Sequence, residues 1–140
     1  MFEIESYRLE NGNSPVEDFI RGLDKKMQAK ALATIDILAE FGNQLREPYS
    51  KPIGDGLFEL RIKFSSDISR IFYFFIVDNK IILTNGFVKK TMKTPKAEIE
   101  LARKYKKAYE RRMLNEWFSE VQGGTAERPG GPDGVRSVEA

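Results

Sequence analysis

From Phe58 to Phe64 the chain reads Phe-Glu-Leu-Arg-Ile-Lys-Phe, apolar and polar side chains in unbroken alternation. Successive side chains of a strand point to opposite faces, so a period of two calls for a strand and does not fit a helix. Phe58, Leu60, Ile62 and Phe64 then share a core face, and Glu59, Arg61 and Lys63 share the opposite one. Residues 65–69 are turn-like. Residues 70–77 are nearly all apolar, as expected of a central strand. Asp78-Asn79 makes a tight turn into a third run, residues 81–88. Three consecutive strands with short turns predict an antiparallel meander.

Phe2, Ile4 and Tyr7 suit a short first strand, which Asn11-Gly12-Asn13 ends. Ser14-Pro15-Val16-Glu17 is a helix start: serine caps, proline takes the first helical position, and glutamate can close a capping box. That helix reaches about Leu23. Asp24 caps a longer one, in which Met27, Ala31, Leu32, Ile35, Leu38 and Ala39 recur at helical spacing until Gly42. Residues 45–56 hold two prolines and two glycines and read as a loop. Thr94-Pro95 opens the last helix, to about Phe118, with Ile99, Ala102 and Tyr105 on its docking face. The expected fold is α+β: an N-terminal strand and two helices on one face of a small twisted sheet, a three-strand meander, and a C-terminal basic helix. One domain spans residues 1–118, and residues 119–140, rich in Gly and Pro, form a tail too poor in apolar surface to order itself.

The chain contains neither histidine nor cysteine. Disulfides, thiolate metal sites and every Ser-His or Cys-His arrangement are therefore excluded, and acid–base chemistry falls to Lys, Tyr, Asp or Glu. No metal and no cofactor are expected. The N-terminus lacks the pattern of a signal peptide, and the longest apolar run, residues 71–77, is too short to span a bilayer, so a cytoplasmic protein with no membrane contact is expected. The formal net charge of +2 conceals an asymmetry: residues 1–60 carry 7 basic and 11 acidic side chains, and residues 87–112 carry 10 basic and 3 acidic. A basic block between acidic flanks is a polyanion surface or a solvated helix face.

The placement of the cations is informative. Arg61 and Lys63 share one strand face, Arg70 opens the next strand across the turn, and Lys89, Lys90 and Lys93 leave the third. Metal-free RNA cleavage removes a proton from a ribose 2′-OH, neutralises charge on the phosphate, and protonates the leaving 5′ oxygen. Arginine forks grip phosphate oxygens at two points. Lysine becomes a base only when its pKa falls from about 10.4, which burial and neighbouring cations favour. The plainer reading makes Arg61 and Lys63 the solvent side of an amphipathic strand, and the basic side chains of the last helix a solvated face. Glu59 and Asp67 have no spacing that marks them as a catalytic pair.

Two stretches add a resemblance. Residues 57–64 with Ser69-Arg70-Ile71-Phe72-Tyr73, and Asn85-Gly86-Phe87-Val88-Lys89-Lys90-Thr91-Met92-Lys93-Thr94-Pro95 running into Glu98-Ile99-Glu100-Leu101-Ala102, resemble the HigB-like, often phage-borne branch of the RelE/ParE toxin superfamily. The resemblance implies a RelE-like fold and a toxin encoded beside an antitoxin, often a helix-turn-helix protein. It also implies a ribosome-dependent endoribonuclease that cuts mRNA in the A site and leaves a 2′,3′-cyclic phosphate. Matched position by position, Arg61, Lys63, Arg70 and Lys90 become the catalytic set, with Lys63 as base. Lys89, Lys93, Lys96, Arg103 and Lys104 become phosphate contacts. The tyrosine that RelE-type enzymes place near the start of the last helix is absent, and Lys96 stands about there. A ParE-like gyrase inhibitor and a non-catalytic nucleic-acid-binding module are the alternatives.

Overall fold

A computed structural model describes residues 1–89 and 93–122. Among them the chain forms β1 (Glu3–Ser6), α1 (Pro15–Arg21), α2 (Lys25–Phe41), β2 (Ser50–Gly54), β3 (Leu57–Phe64), β4 (Asp67–Ile76), β5 (Lys80–Val88) and α3 (Lys96–Gln122). The helix starts follow their caps. Ser14 Oγ accepts from the Glu17 N–H at 3.2 Å and Asp24 Oδ1 from the Met27 N–H at 2.8 Å. The capping box stays half made, because the Glu17 carboxylate pairs with Arg8 instead, at 2.8 Å. Gly42 closes α2 at φ 53°, where a Cβ would lie 2.0 Å from the Phe2 ring. Only glycine allows that turn and that close approach together.

The sheet corrects the three-strand expectation. It is a mixed, five-stranded sheet in the order β1-β5-β4-β3-β2, with β1 parallel to β5 and the other pairs antiparallel. The Pro-rich stretch read as a loop supplies β2 as an edge strand, where a proline costs little because one side of the strand has no neighbour to bond. The segment read as a turn before Arg70 is strand from Asp67, and the turn shrinks to Ser65-Ser66, with Ser65 at φ 58°.

The helices also lie on both faces of the sheet, not on one. Beneath α1 and α2, Val16, Met27, Ala31 and Leu38 pack on Leu60, Ile62, Ile71, Tyr73, Ile81 and Leu83. Beneath α3, Ala102 and Tyr109 pack on Leu57, Phe72, Phe74, Ile82 and Phe87. β4 requires this arrangement, since its apolar side chains alternate between the two clusters and each needs cover. Each fully buried Leu, Ile or Phe contributes about 1.5–3 kcal/mol, so neither layer is dispensable. Phe64, assigned to the core by its period, is 39% exposed at the end of the β3–β4 hairpin.

A β-bulge in β5 sets up the site. Ile71 pairs with Gly86 but Tyr73 with Leu83, so Thr84 and Asn85 together oppose Phe72. The extra residue reverses the alternation. Phe87 thereby joins the face beneath α3, while Gly86 turns to the other face, where a Cβ would meet the Phe19 ring at 2.4 Å. The ladder continues one residue past the strand, with the Lys89 N–H donating to the Ile68 carbonyl at 2.9 Å.

Candidate functional site

Cross-strand register brings the cations together. Arg61 on β3 lies directly opposite Arg70 on β4, and Arg70 lies opposite Phe87 on β5. Directly paired residues share a sheet face, so both arginines stand on the face that α3 covers. The helix covers only part of it. Beyond its N-terminal end the face opens into a cleft of about 820 Å³ whose walls include Lys51, Arg61, Arg70, Lys89 and Lys93. Five cations from four separated stretches of chain therefore face one space.

Glu59 and Arg70 form the floor. Both are about 1% exposed, and Arg70 Nη1 donates to Glu59 Oε1 in a buried ion pair. The second carboxylate oxygen of Glu59 accepts from Thr94 Oγ at 2.6 Å. The Thr94 hydroxyl, expected to cap α3, instead ties the segment entering that helix to the buried pair. Nε and Nη2 of Arg70 are themselves buried and have no hydrogen-bond partner among the described residues. Buried donors of a cation are normally satisfied, so this guanidinium carries two unmet donors beneath the cleft, held in orientation by Glu59.

The electrostatics follow from the crowding. Burial pulls the Arg70 guanidinium below its ordinary value, Glu59 pulls it back, and Arg61 adds to the lowering. The Lys89 ammonium is also pushed below the usual lysine value. Burial is the largest cause, followed by Arg70 and then by Arg61 and Lys51, with Glu59 opposing. Lys89 is thus a lysine biased toward its neutral, basic form beside two arginines.

The other expected residues fall elsewhere. Lys63 lines a separate, smaller depression against α2, which meets the cleft at Arg61 and Ile68. Arg103 pairs with Asp55 at 3.0 Å, and Lys104 is exposed along an outer groove of α3 with Arg103, Lys107 and Arg111. Lys96 is exposed at the first turn of α3. Lys90 lies outside the described residues, as does the Gly- and Pro-rich stretch 123–140, while α3 itself continues to Gln122. Sequence reasoning missed Lys51, hidden in a stretch taken for a loop, and the anchoring role of Glu59, whose alternation placed it only on the face opposite the core. Among the described residues no group of three acidic side chains is placed to hold a metal ion, and no helix is long and apolar enough to cross a membrane.

The fold and cleft define a small α+β protein with a cationic cleft on one sheet face. A family model, that of the phage-derived Gp49-like proteins (DUF891), matches residues 18–107, more than half of the chain. The chain belongs to this Gp49-like, phage-derived family. A search of curated proteins found no match.

Proposed function

We propose that this protein is the toxin of a toxin–antitoxin pair and that its cleft cleaves messenger RNA on the ribosome. Membership of a phage-derived family agrees with such an element, and the resemblance of residues 57–73 and 85–102 to HigB-like toxins supplies the reaction and the dependence on the ribosome. The observation that carries the reading is the convergence of Arg61, Arg70 and Lys89 from β3, β4 and the end of β5 on one open cleft, where burial and neighbouring cations lower the Lys89 pKa.

In this mechanism Arg61 grips the scissile phosphate in the cleft, above the buried positive charge of Arg70. Neutral Lys89 removes the proton of the 2′-OH. The 2′ oxygen then attacks phosphorus, the P–O5′ bond breaks, and a 2′,3′-cyclic phosphate forms. The leaving 5′ oxygen takes a proton from solvent at the open side of the cleft. Arg70 and Arg61 neutralise the charge that builds on phosphorus, which is the largest part of such catalysis. Lys89 replaces Lys63 as the base in this scheme, because Lys89 lines the cleft and Lys63 does not. The antitoxin acts by covering the cationic face.

The test is purified protein on programmed ribosomes with 5′-labelled mRNA. Cuts in the A-site codon that end in a cyclic phosphate, and that fall at least about 100-fold with Arg61→Ala, are expected. Arg61 is half-buried and outside the buried pair, so the variant stays folded. Intact mRNA together with inhibited gyrase supercoiling would move the function to the ParE-like reading. Ribosome-free RNA binding without cleavage would leave a non-catalytic module.

A further inference from the structure

The smaller depression beside the cleft is built like a place for a base. It has a volume of about 230 Å³ and is lined by Lys30 from α2, Tyr49 from the turn before β2, and Arg61 and Lys63 from β3. Tyr49 is 43% exposed, unlike Tyr73, which is buried in the layer beneath α1 and α2 and whose ring stacks on Phe58 at 5.4 Å. Its backbone is fixed, since the Tyr49 carbonyl accepts from the Arg61 N–H at 2.8 Å. An exposed ring on a backbone tied to β3, in a depression shared with three cations, matches the chemistry of single-strand recognition, in which aromatic faces stack bases and flanking cations track phosphates. The depression and the cleft share Arg61 and Ile68, so a strand whose phosphate reaches Arg61 continues directly into it.

The geometry points to a second nucleotide subsite here, in which Tyr49 stacks a base of single-stranded RNA while Lys30 and Lys63 hold its flanking phosphates. This rests on the reading of the cleft as an RNA site, and assigns Lys63 to grip rather than to chemistry. The ring does the work, because stacking needs a π face and not the hydroxyl. Position matters as well: bound next to Arg61, this base belongs to the nucleotide adjoining the scissile phosphate.

The subsite is tested with the full chain and a fluorescein-labelled, mixed-sequence RNA nonamer, followed by anisotropy across a salt series. Tyr49→Leu should weaken binding about 5- to 150-fold, the worth of one base–aromatic stack, while Tyr49→Phe stays within about twofold of the parent. Lys30→Ala and Lys63→Ala should each lower the slope of log K against log salt by about 0.7, and Tyr49→Leu should leave that slope unchanged. Circular dichroism checks that each variant is folded. Parent-like binding by Tyr49→Leu, equal losses with Phe and Leu, or no binding of the nonamer by the parent would each overturn the subsite. The first of these would give the depression to a different partner, such as a protein. Running the ribosome assay on the same samples separates the two claims. Ring-dependent RNA binding without mRNA cleavage removes the nuclease and leaves the subsite, whereas cleavage with ring-independent binding does the reverse.

Discussion

The two faces of one sheet have opposite fates. Beneath α1 and α2 the packing is aliphatic and aromatic from Val16 to Leu83, with a pocket of about 380 Å³ at its edge beside Leu45, Phe58, Tyr73 and Phe75. Beneath α3 it begins in the same way, at Leu57 and Phe74, and within four residues along β3 and β4 it reaches Glu59, Arg61 and Arg70. The same strands build both faces. The difference is the cover: two helices close one face, and a single helix closes part of the other, where charged groups can be buried at the rim and still reach a cleft. A site forms where the hydrophobic layer runs out.

Removing one partner of the buried pair is the harshest way to break this comparison. Glu59→Leu strands the Arg70 cation, and urea unfolding should show a loss of about 3–5 kcal/mol. The double variant Glu59→Leu/Arg70→Met should recover most of that loss while remaining inactive on mRNA, because packed apolar side chains replace a buried pair at little cost. Recovery of activity with stability would mean that the pair is merely structural. On the apolar face, Leu60→Ala, at a side chain with no exposure, should cost about 2–5 kcal/mol and leave the cleavage rate of the folded fraction unchanged. A changed rate would couple the two faces.

Smaller effects sharpen the electrostatics. Thr94→Val removes a hydrogen bond to a buried carboxylate and should cost about 1.5–3 kcal/mol in urea unfolding. In pH–rate profiles the sign can be worked out for Lys89. Its neutral form is the base and its pKa is lowered, so the rate climbs with pH and levels off below the ordinary lysine value. Arg61→Ala removes a cation that lowers this pKa, so the break should move to higher pH. Glu59→Gln removes the carboxylate that raises it, so the break should move to lower pH. Shifts in the same direction would exclude Lys89 as the titrating group.

Much of the fold was legible in local patterns. Ser14 and Asp24 cap the helices they announce, Gly42 stops α2, and the alternation of residues 58–64 lies in β3, which starts one residue earlier at Leu57. What the patterns hid is cover. Alternation says that two faces differ, yet it does not say that the polar one meets water, and Glu59 looks the same in sequence whether it faces solvent or a buried arginine. The run of apolar residues in β4 carried the missing signal, since a strand apolar on both sides needs a layer on both sides. β2 was masked by its proline, and the β5 bulge leaves no trace in residue type. The convergence of Arg61 and Arg70 was readable from the hairpin, whereas Lys51 and Tyr49 depend on a strand and a turn that the composition disguised.

Single-turnover cleavage on programmed ribosomes by Lys89→Met decides whether Lys89 is the base. A loss of about 10²–10⁴-fold in cleavage rate with ribosome binding retained is expected, the usual worth of a general base. Cleavage at the parent rate by this variant would contradict the assignment of the cleft's chemistry to Lys89.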